Sequence, residues 1–196
     1  MREFLLFFLT LLVIFSLFNK VKKNNEIITK LSNVDNRKYV VRKLPDAQTA
    51  SDKLATINIK ILKLIKYVKD KERSGVERLG IRYNPDTLSE TGLNAKYTSY
   101  SVNKGEKISI CIRNKETNQF MDDNIIMFVV IHELAHIMTV QIGHPKEFWD
   151  NMKYLLEQAN EIKLYDPVNY NEKSEMYCGM EINSTPYDFG EKTKNK

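Results

Sequence analysis

Cysteine is scarce in this chain: of 196 residues only Cys111 and Cys178 carry a thiol. Two thiols do not make a disulfide framework, and no CxxC pair is present. Such sparing use suits a reducing compartment. Excess positive charge is missing from most of the chain. The formal net charge is +5, yet residues 1–43 hold nine Lys/Arg against Glu3, Glu26 and Asp35, which is +6 and leaves 5 − 6 = −1 for residues 44–196. A basic domain that grips nucleic acid shows the opposite distribution, so no nucleic-acid partner is expected. Internal repeats and low-complexity stretches are absent too. At 42% hydrophobic and 28% charged, the composition is that of one folded domain with an appendage. Histidine is the last scarcity: His132, His136 and His144 are the only three, and they fall within thirteen consecutive positions.

The appendage is "FLLFFLTLLVIFSLF", Phe4 to Phe18, a run without charge. As a helix it would rise about 22 Å, somewhat less than a bilayer core of about 30 Å. Small residues that would mark a signal-peptide cut are missing after it, and no polar face fits it to a buried core helix. A membrane anchor is expected, with Lys20 snorkelling to extend the span. Lys20, Lys22 and Lys23 make the following flank the more positive one, which places the domain on the cytoplasmic, or virion-interior, side. The expected layout is an anchor over 1–21, a basic polar linker over 22–37, a domain over 38–190 and a polar tail over 191–196.

Within the domain, "KYVVRKL" (38–44) reads as a short strand. Residues 46–73 read as a helix, because Leu54, Ile57, Ile61, Leu64 and Val68 fall three and four apart with lysines on the other face. Residues 80–92 read as loop. "KYTSYSV" (96–102) and "KISICIR" (107–113) flank a polar turn and predict a hairpin. Asp122 or Asp123 caps a helix over 124–140 that is apolar almost all round, the pattern of a helix buried mid-domain. Gly143 suits its end, and Pro145 the first turn of the next helix, which runs to about Ile162. The remaining tail shows no periodicity.

His132 and His136 stand four apart, one helical turn, with Cβ atoms about 5–6 Å apart. Two imidazoles so placed reach one Zn²⁺. Glu133, about 100° round the helix, stands beside such an ion, where it can take a proton from zinc-activated water. A catalytic zinc needs a third protein ligand and an open position. His144, beyond the Gly143 turn, is the candidate, with Glu147 or Glu157 as the alternative. Satisfied core histidines would explain one of the three more easily than all of them. A structural zinc would want four ligands rich in cysteine, which only Cys111 and Cys178 could supply.

"HELAH" followed by "GHPKEFW" resembles the WLM and SprT-like branch of the zincin metallopeptidases, whose third ligand sits in a similar G-H-x-x-x-F context. "YTSYSVNKGEKISICIR", "MFVVIHELAHIM", "GHPKEFWDNMKYLL" and "YCGMEI" are more closely similar to a group of metallopeptidase-like proteins of large DNA viruses, which often begin with a hydrophobic anchor. The resemblance covers roughly residues 39–187, and its specific part is 128–149. It implies zinc on His132, His136 and His144, with Glu133 as catalytic base and acid. It implies that one strand of the hairpin forms the rim of a cleft along which an extended peptide lies. It also implies a tyrosine that stabilises the oxyanion, for which Tyr170, Tyr177 and Tyr187 are candidates. Cys178 is either an inhibitory zinc ligand or a buried cysteine. The chain departs from the metzincin pattern at Thr139, where glycine would stand, and in its later third histidine. DNA-binding extensions that accompany many SprT-like proteins are absent, so cleavage of DNA-bound proteins is not carried over.

The sequence therefore predicts an α+β fold. It is a small zincin-like domain with a helix, a short antiparallel sheet, a buried HExxH helix and a following helix, behind an N-terminal transmembrane helix. The expected activity is a membrane-anchored zinc endopeptidase acting on a peptide or protein substrate. The alternative is a catalytically silent structural or assembly protein of a viral membrane that keeps the fold.

Overall fold

The computed structural model describes residues 4, 7, 9–16 and 26–190. The chain enters the fold through β1 (Ile27–Leu31), which pairs antiparallel with β2 (Lys38–Arg42), Ile27 opposite Arg42. β1 lies inside the stretch expected to be linker. Its residues alternate between exposed and half-buried, so backbone pairing rather than a buried face holds it in place.

Helix α1 (Ala47–Val68) has the expected core face: Leu54, Ile57, Ile61, Leu64 and Val68 are all buried. Asn58 is buried among them. Its amide donates to the Tyr39 hydroxyl (2.8 Å) and the Pro85 carbonyl (3.0 Å), and it accepts from the Tyr83 hydroxyl (2.6 Å). These bonds satisfy a side chain that burial would otherwise penalise, and they tie α1 to β2 and to the connection that follows.

That connection is more structured than the loop the sequence predicted. It holds α2 (Val76–Arg82), a 3-10 turn (Pro85–Thr87) and β3 (Leu88–Glu90). β3 occupies the middle of a five-stranded sheet, flanked by β2 and by β5 (Lys107–Ile110), with β4 (Tyr100–Val102) at the outer edge. β4 and β5 form the expected antiparallel hairpin. β3, however, runs parallel to both neighbours. The sheet is mixed, not the short antiparallel sheet expected, because the helical connection through α1 and α2 is a crossover that returns β3 in the direction of β2.

Helix α3 (Asp123–Met138) begins on the Asp122 cap, whose carboxylate accepts from Asn124 N at 2.8 Å. Twelve of its 16 residues are buried, which leaves it no solvent face and puts it at the centre of the domain. It packs against α2, β4, β5 and α4 (Lys146–Glu161). α4 buries Phe148, Met152, Leu155 and Leu156 on one face. The tail then folds back as an unexpected hairpin of β6 (Glu175–Tyr177) and β7 (Met180–Ile182).

Two expectations are corrected here. Cys111 and Cys178 are not free thiols: they form a disulfide that ties the hairpin to the end of β5. And among the described residues no helix is long and apolar enough to cross a membrane. This overturns the single-pass membrane placement, with its transmembrane helix and cytoplasmic or virion-interior side. The other parts of the expected anchor and linker (1–3, 5, 6, 8 and 17–25) and the tail 191–196 lie outside the described residues.

A buried ion network braces the sheet. The Arg113 guanidinium is fully buried, with Nε 3.1 Å from Glu90 Oε1 and Nη1 on Asp46. The Arg42 backbone N–H donates to Glu90 Oε2 at 2.7 Å. Burial pushes the Glu90 carboxyl up, while Arg42 and Arg113 pull it back.

Candidate metal centre

Helix α3 delivers His132 and His136 from one face, one turn apart. It ends at Met138, where Thr139 is extended and its hydroxyl donates to Ala135 O at 2.8 Å. Asn151 of α4 donates to the same hydroxyl at 3.1 Å, which fixes the two helix ends together. Lys104, in the β4–β5 turn, then uses all three of its ammonium donors on consecutive carbonyls, Thr139 (2.5 Å), Val140 (2.6 Å) and Gln141 (2.7 Å). It satisfies the carbonyls of the helix cap and of the two residues after it, which no further helical turn would pair. Gly143, at φ +84°, turns the chain back, and His144 returns to the two helical imidazoles.

The three Nε2 atoms form a nearly equilateral triangle: 3.2 Å between His132 and His136, 3.3 Å between His132 and His144, and 3.2 Å between His136 and His144. Tetrahedral zinc with bonds of about 2.0–2.1 Å needs donors about 3.3–3.4 Å apart. The donor set therefore fits such an ion, and it is the group of His, Cys, Asp and Glu able to hold a metal among the described residues. Phe148 lies beneath all three rings, its centroid 4.9, 4.4 and 4.5 Å from those of His132, His136 and His144. One buried aromatic thus supports every imidazole. His144 also stacks near Trp149, at 5.6 Å.

Burial, and then the neighbouring imidazoles, push His132 down to about 3. Burial, His144 and Lys104 push His136 down to about 4. Both are neutral near pH 7, the state in which imidazole binds a metal. Glu133 is only 5% exposed. Burial pushes its carboxyl up to about 7, although the backbone N–H of Ser101 on β4 donates to it and acts the other way.

Two cavities flank the cluster. One, about 550 Å³, runs between Ser99, Ser101 and Lys104 on one wall and Gln141 to Gly143 on the other. The second, about 320 Å³, lies between α3, α4 and the β6–β7 hairpin. Both reach His132, Glu133 and His144.

The structure brings together His132, Glu133, His136 and His144. Glu147 and Glu157 are not part of the cluster, and Cys178 has no free thiolate to offer it. Of the three tyrosines, Tyr170 packs its ring on Phe128 at 4.8 Å. The Tyr187 hydroxyl accepts from Asn160 at 2.9 Å. The Tyr177 hydroxyl donates to Cys111 O at 2.6 Å, with Ser99 Oγ at 3.0 Å. None of them lines either cavity, whereas Tyr97 lines both. Sequence reasoning missed Lys104 and the position of Tyr97. Lys104 sits in a polar turn where no local signal marks it, and Tyr97, expected within the strand 96–102, lies before β4 begins at Tyr100. Phe148 was visible only as the phenylalanine of the G-H-x-x-x-F context.

Known proteins supply independent comparisons. The WLM domain profile matches residues 33–196. The chain is 30% identical over 176 residues to uncharacterized protein R325 of Acanthamoeba polyphaga mimivirus, covering 87% of this chain and 88% of that protein. It is 26% identical over 159 residues to uncharacterized protein 136R of Invertebrate iridescent virus 6, covering 76% and 86%. The crystal structure of Wss1 from Saccharomyces cerevisiae shares the fold, with a TM-score of 0.50 at 22% identity over 63% of this chain and 87% of that one. On this evidence the chain belongs to the WLM domain family, has relatives in viruses and shares its fold with Wss1.

Proposed function

We propose that this chain is a zinc-dependent endopeptidase, its ion held by the Nε2 atoms of His132, His136 and His144. The observation that carries the reading is the Nε2 triangle of 3.2–3.3 Å edges with a buried carboxylate, Glu133, on the same helix and a cleft on either side. Zinc, when bound there, supplies Lewis acidity towards a carbonyl oxygen and acidifies water. Glu133 is the general base and then the general acid: its carboxylate takes a proton from the attacking water and returns it to the leaving amine. Its burial suits that exchange, because a base works best when its pKa lies near the working pH. Phe148 and Lys104 hold the imidazoles and the His144 loop in place. β4, at the sheet's edge, offers a backbone along which an extended peptide or protein segment adds as a further strand.

Metal analysis and proteolysis of the wild type against Glu133→Gln test this reading. Zinc in both proteins, with cleavage of an unfolded protein by the wild type alone, supports it. Zinc retained by a wild type that cleaves nothing would replace it with the non-enzymatic reading, a structural or assembly protein on the same fold.

A further inference from the structure

The two cavities beside the cluster differ in size and in the charged side chains that line them. The larger carries Lys104, Asn103 and several hydroxyls. The smaller, about 320 Å³, is lined mainly by Phe128 and Val129 of α3, Trp149 and Met152 of α4, and Met180 and Ile182 of β7, with neutral polar groups of Thr98, Ser99, Asn183 and Ser184 beside them. Phe128, Val129, Met152 and Ile182 are buried and form its floor, while Trp149 and Met180 are 39% and 45% exposed and form its rim. Apart from the site's own Glu133, His132 and His144, the only charged side chain lining it is Glu181, which is exposed at the mouth. Its volume is at the lower end for a ligand site, enough for one large side chain rather than a length of peptide. The hairpin wall is fixed to the sheet by the Cys111–Cys178 disulfide and the Tyr177 hydroxyl on Cys111 O. The two methionines give the lining some adaptability in shape.

Building on the peptidase reading, we propose that this cavity is the specificity pocket. It receives the side chain of one residue flanking the scissile bond and selects large apolar side chains (Phe, Leu, Met) over small or charged ones. An acidic side chain would meet no cationic side chain along the apolar floor and would be repelled by Glu181 at the mouth. A basic one would have to stay at the mouth to reach Glu181, leaving the apolar floor empty. Size alone gives roughly 10- to 200-fold discrimination per methylene in a closed apolar pocket. At least a tenfold preference for Leu or Phe over Ala is therefore expected.

Trp149 is the only tryptophan in the chain and stands at the pocket rim, so its emission reports occupancy directly. The zinc-loaded Glu133→Gln variant, which holds substrate without turnover, is titrated with blocked pentapeptides Gly-Gly-X-Gly-Gly, where X is Phe, Leu, Ala, Lys or Glu. The proposal expects Kd values for Phe and Leu at least tenfold below those for the other three. Equal affinities across the panel, or a preference for Lys, would overturn it. Met180→Glu, added to this variant at the rim where the fold tolerates polarity, is expected to weaken Phe and Leu binding about tenfold and to strengthen Lys. An unchanged profile would also overturn the proposal. Wild-type cleavage is scored separately. Selective binding without any hydrolysis removes the peptidase reading and leaves the pocket, whereas hydrolysis without selectivity removes the pocket alone.

Discussion

Glu133→Gln is expected to stabilise the metal-free protein at pH 8 and to leave its stability unchanged at pH 4. In the folded chain burial raises the Glu133 carboxyl from its ordinary 4.5 to about 7. Between those values the folded state binds the proton more tightly than the unfolded state does. The wild type therefore loses stability as pH rises through this window. The gap from 4.5 to 7 corresponds to about 3 kcal/mol, fully expressed above pH 7. Glutamine has no charge to desolvate, and its amide oxygen can still accept the Ser101 N–H. For a domain of this size about 3 kcal/mol moves Tm by roughly 6–12 °C. The depressed His132 and His136 act in the opposite sense: below about pH 6.5 the unfolded state binds their protons and stability falls. They are the same in both proteins and cancel in the difference. Thermal unfolding by circular dichroism in a chelator, at pH 4, 6 and 8, reads the effect. A variant no more stable than the wild type at pH 8 would refute the reasoning, because it would mean that the carboxylate is not held under desolvation strain beside the cluster.

Four further outcomes follow from the same geometry. His144→Ala removes an exposed ligand beyond the helix. It should lower zinc affinity by more than the roughly 10- to 100-fold that losing an outer partner costs, measured by chelator competition, with metal-free Tm little changed. Cys178→Ser opens a loop of 67 residues and should cost up to about 4 kcal/mol on the chain-entropy account; an unchanged urea midpoint would contradict it. Arg113→Met leaves the Glu90 carboxylate buried without its guanidinium and should cost about 3–5 kcal/mol, partly recovered in the double variant with Glu90→Gln, both read by urea unfolding. Gly75→Ala places a Cβ 2.5 Å from Met138 O at a residue with φ +85°. It should destabilise by about 1–3 kcal/mol, and a neutral result would show that the end of α3 moves more freely than its packing suggests.

The legible parts of the fold were those whose signals are local. α1 declared itself by a 3.6-residue stripe and α3 by the lack of any polar face. The β4–β5 hairpin showed itself by two β-branched runs around a turn. The histidine spacing showed the candidate site, since a helix places residues four apart on one side whatever surrounds it. The missed parts depend on partners distant in sequence. β3 is three residues long and is a strand only because β2 and β5 lie on either side of it. β1 exposes one face and half-buries the other, so its pattern looks like linker. The β6–β7 hairpin and the pairing of Cys111 with Cys178 arise from a tail folding across β5, over 67 positions. Lys104 reads as one more surface lysine until three carbonyls converge on it. The membrane expectation rested on one uncharged run and its lysine flank, and among the described residues no helix is long and apolar enough to cross a membrane.

The central claim is that one ion rests on three imidazoles and keeps a fourth position for water or substrate. X-ray absorption at the zinc edge of the loaded protein tests it most directly. The account predicts three imidazole nitrogens and one further light atom, all at about 2.0–2.1 Å, with one imidazole lost in His144→Ala. A sulfur ligand, a fourth protein ligand closing the site, or a His144→Ala spectrum identical to the wild type would contradict it.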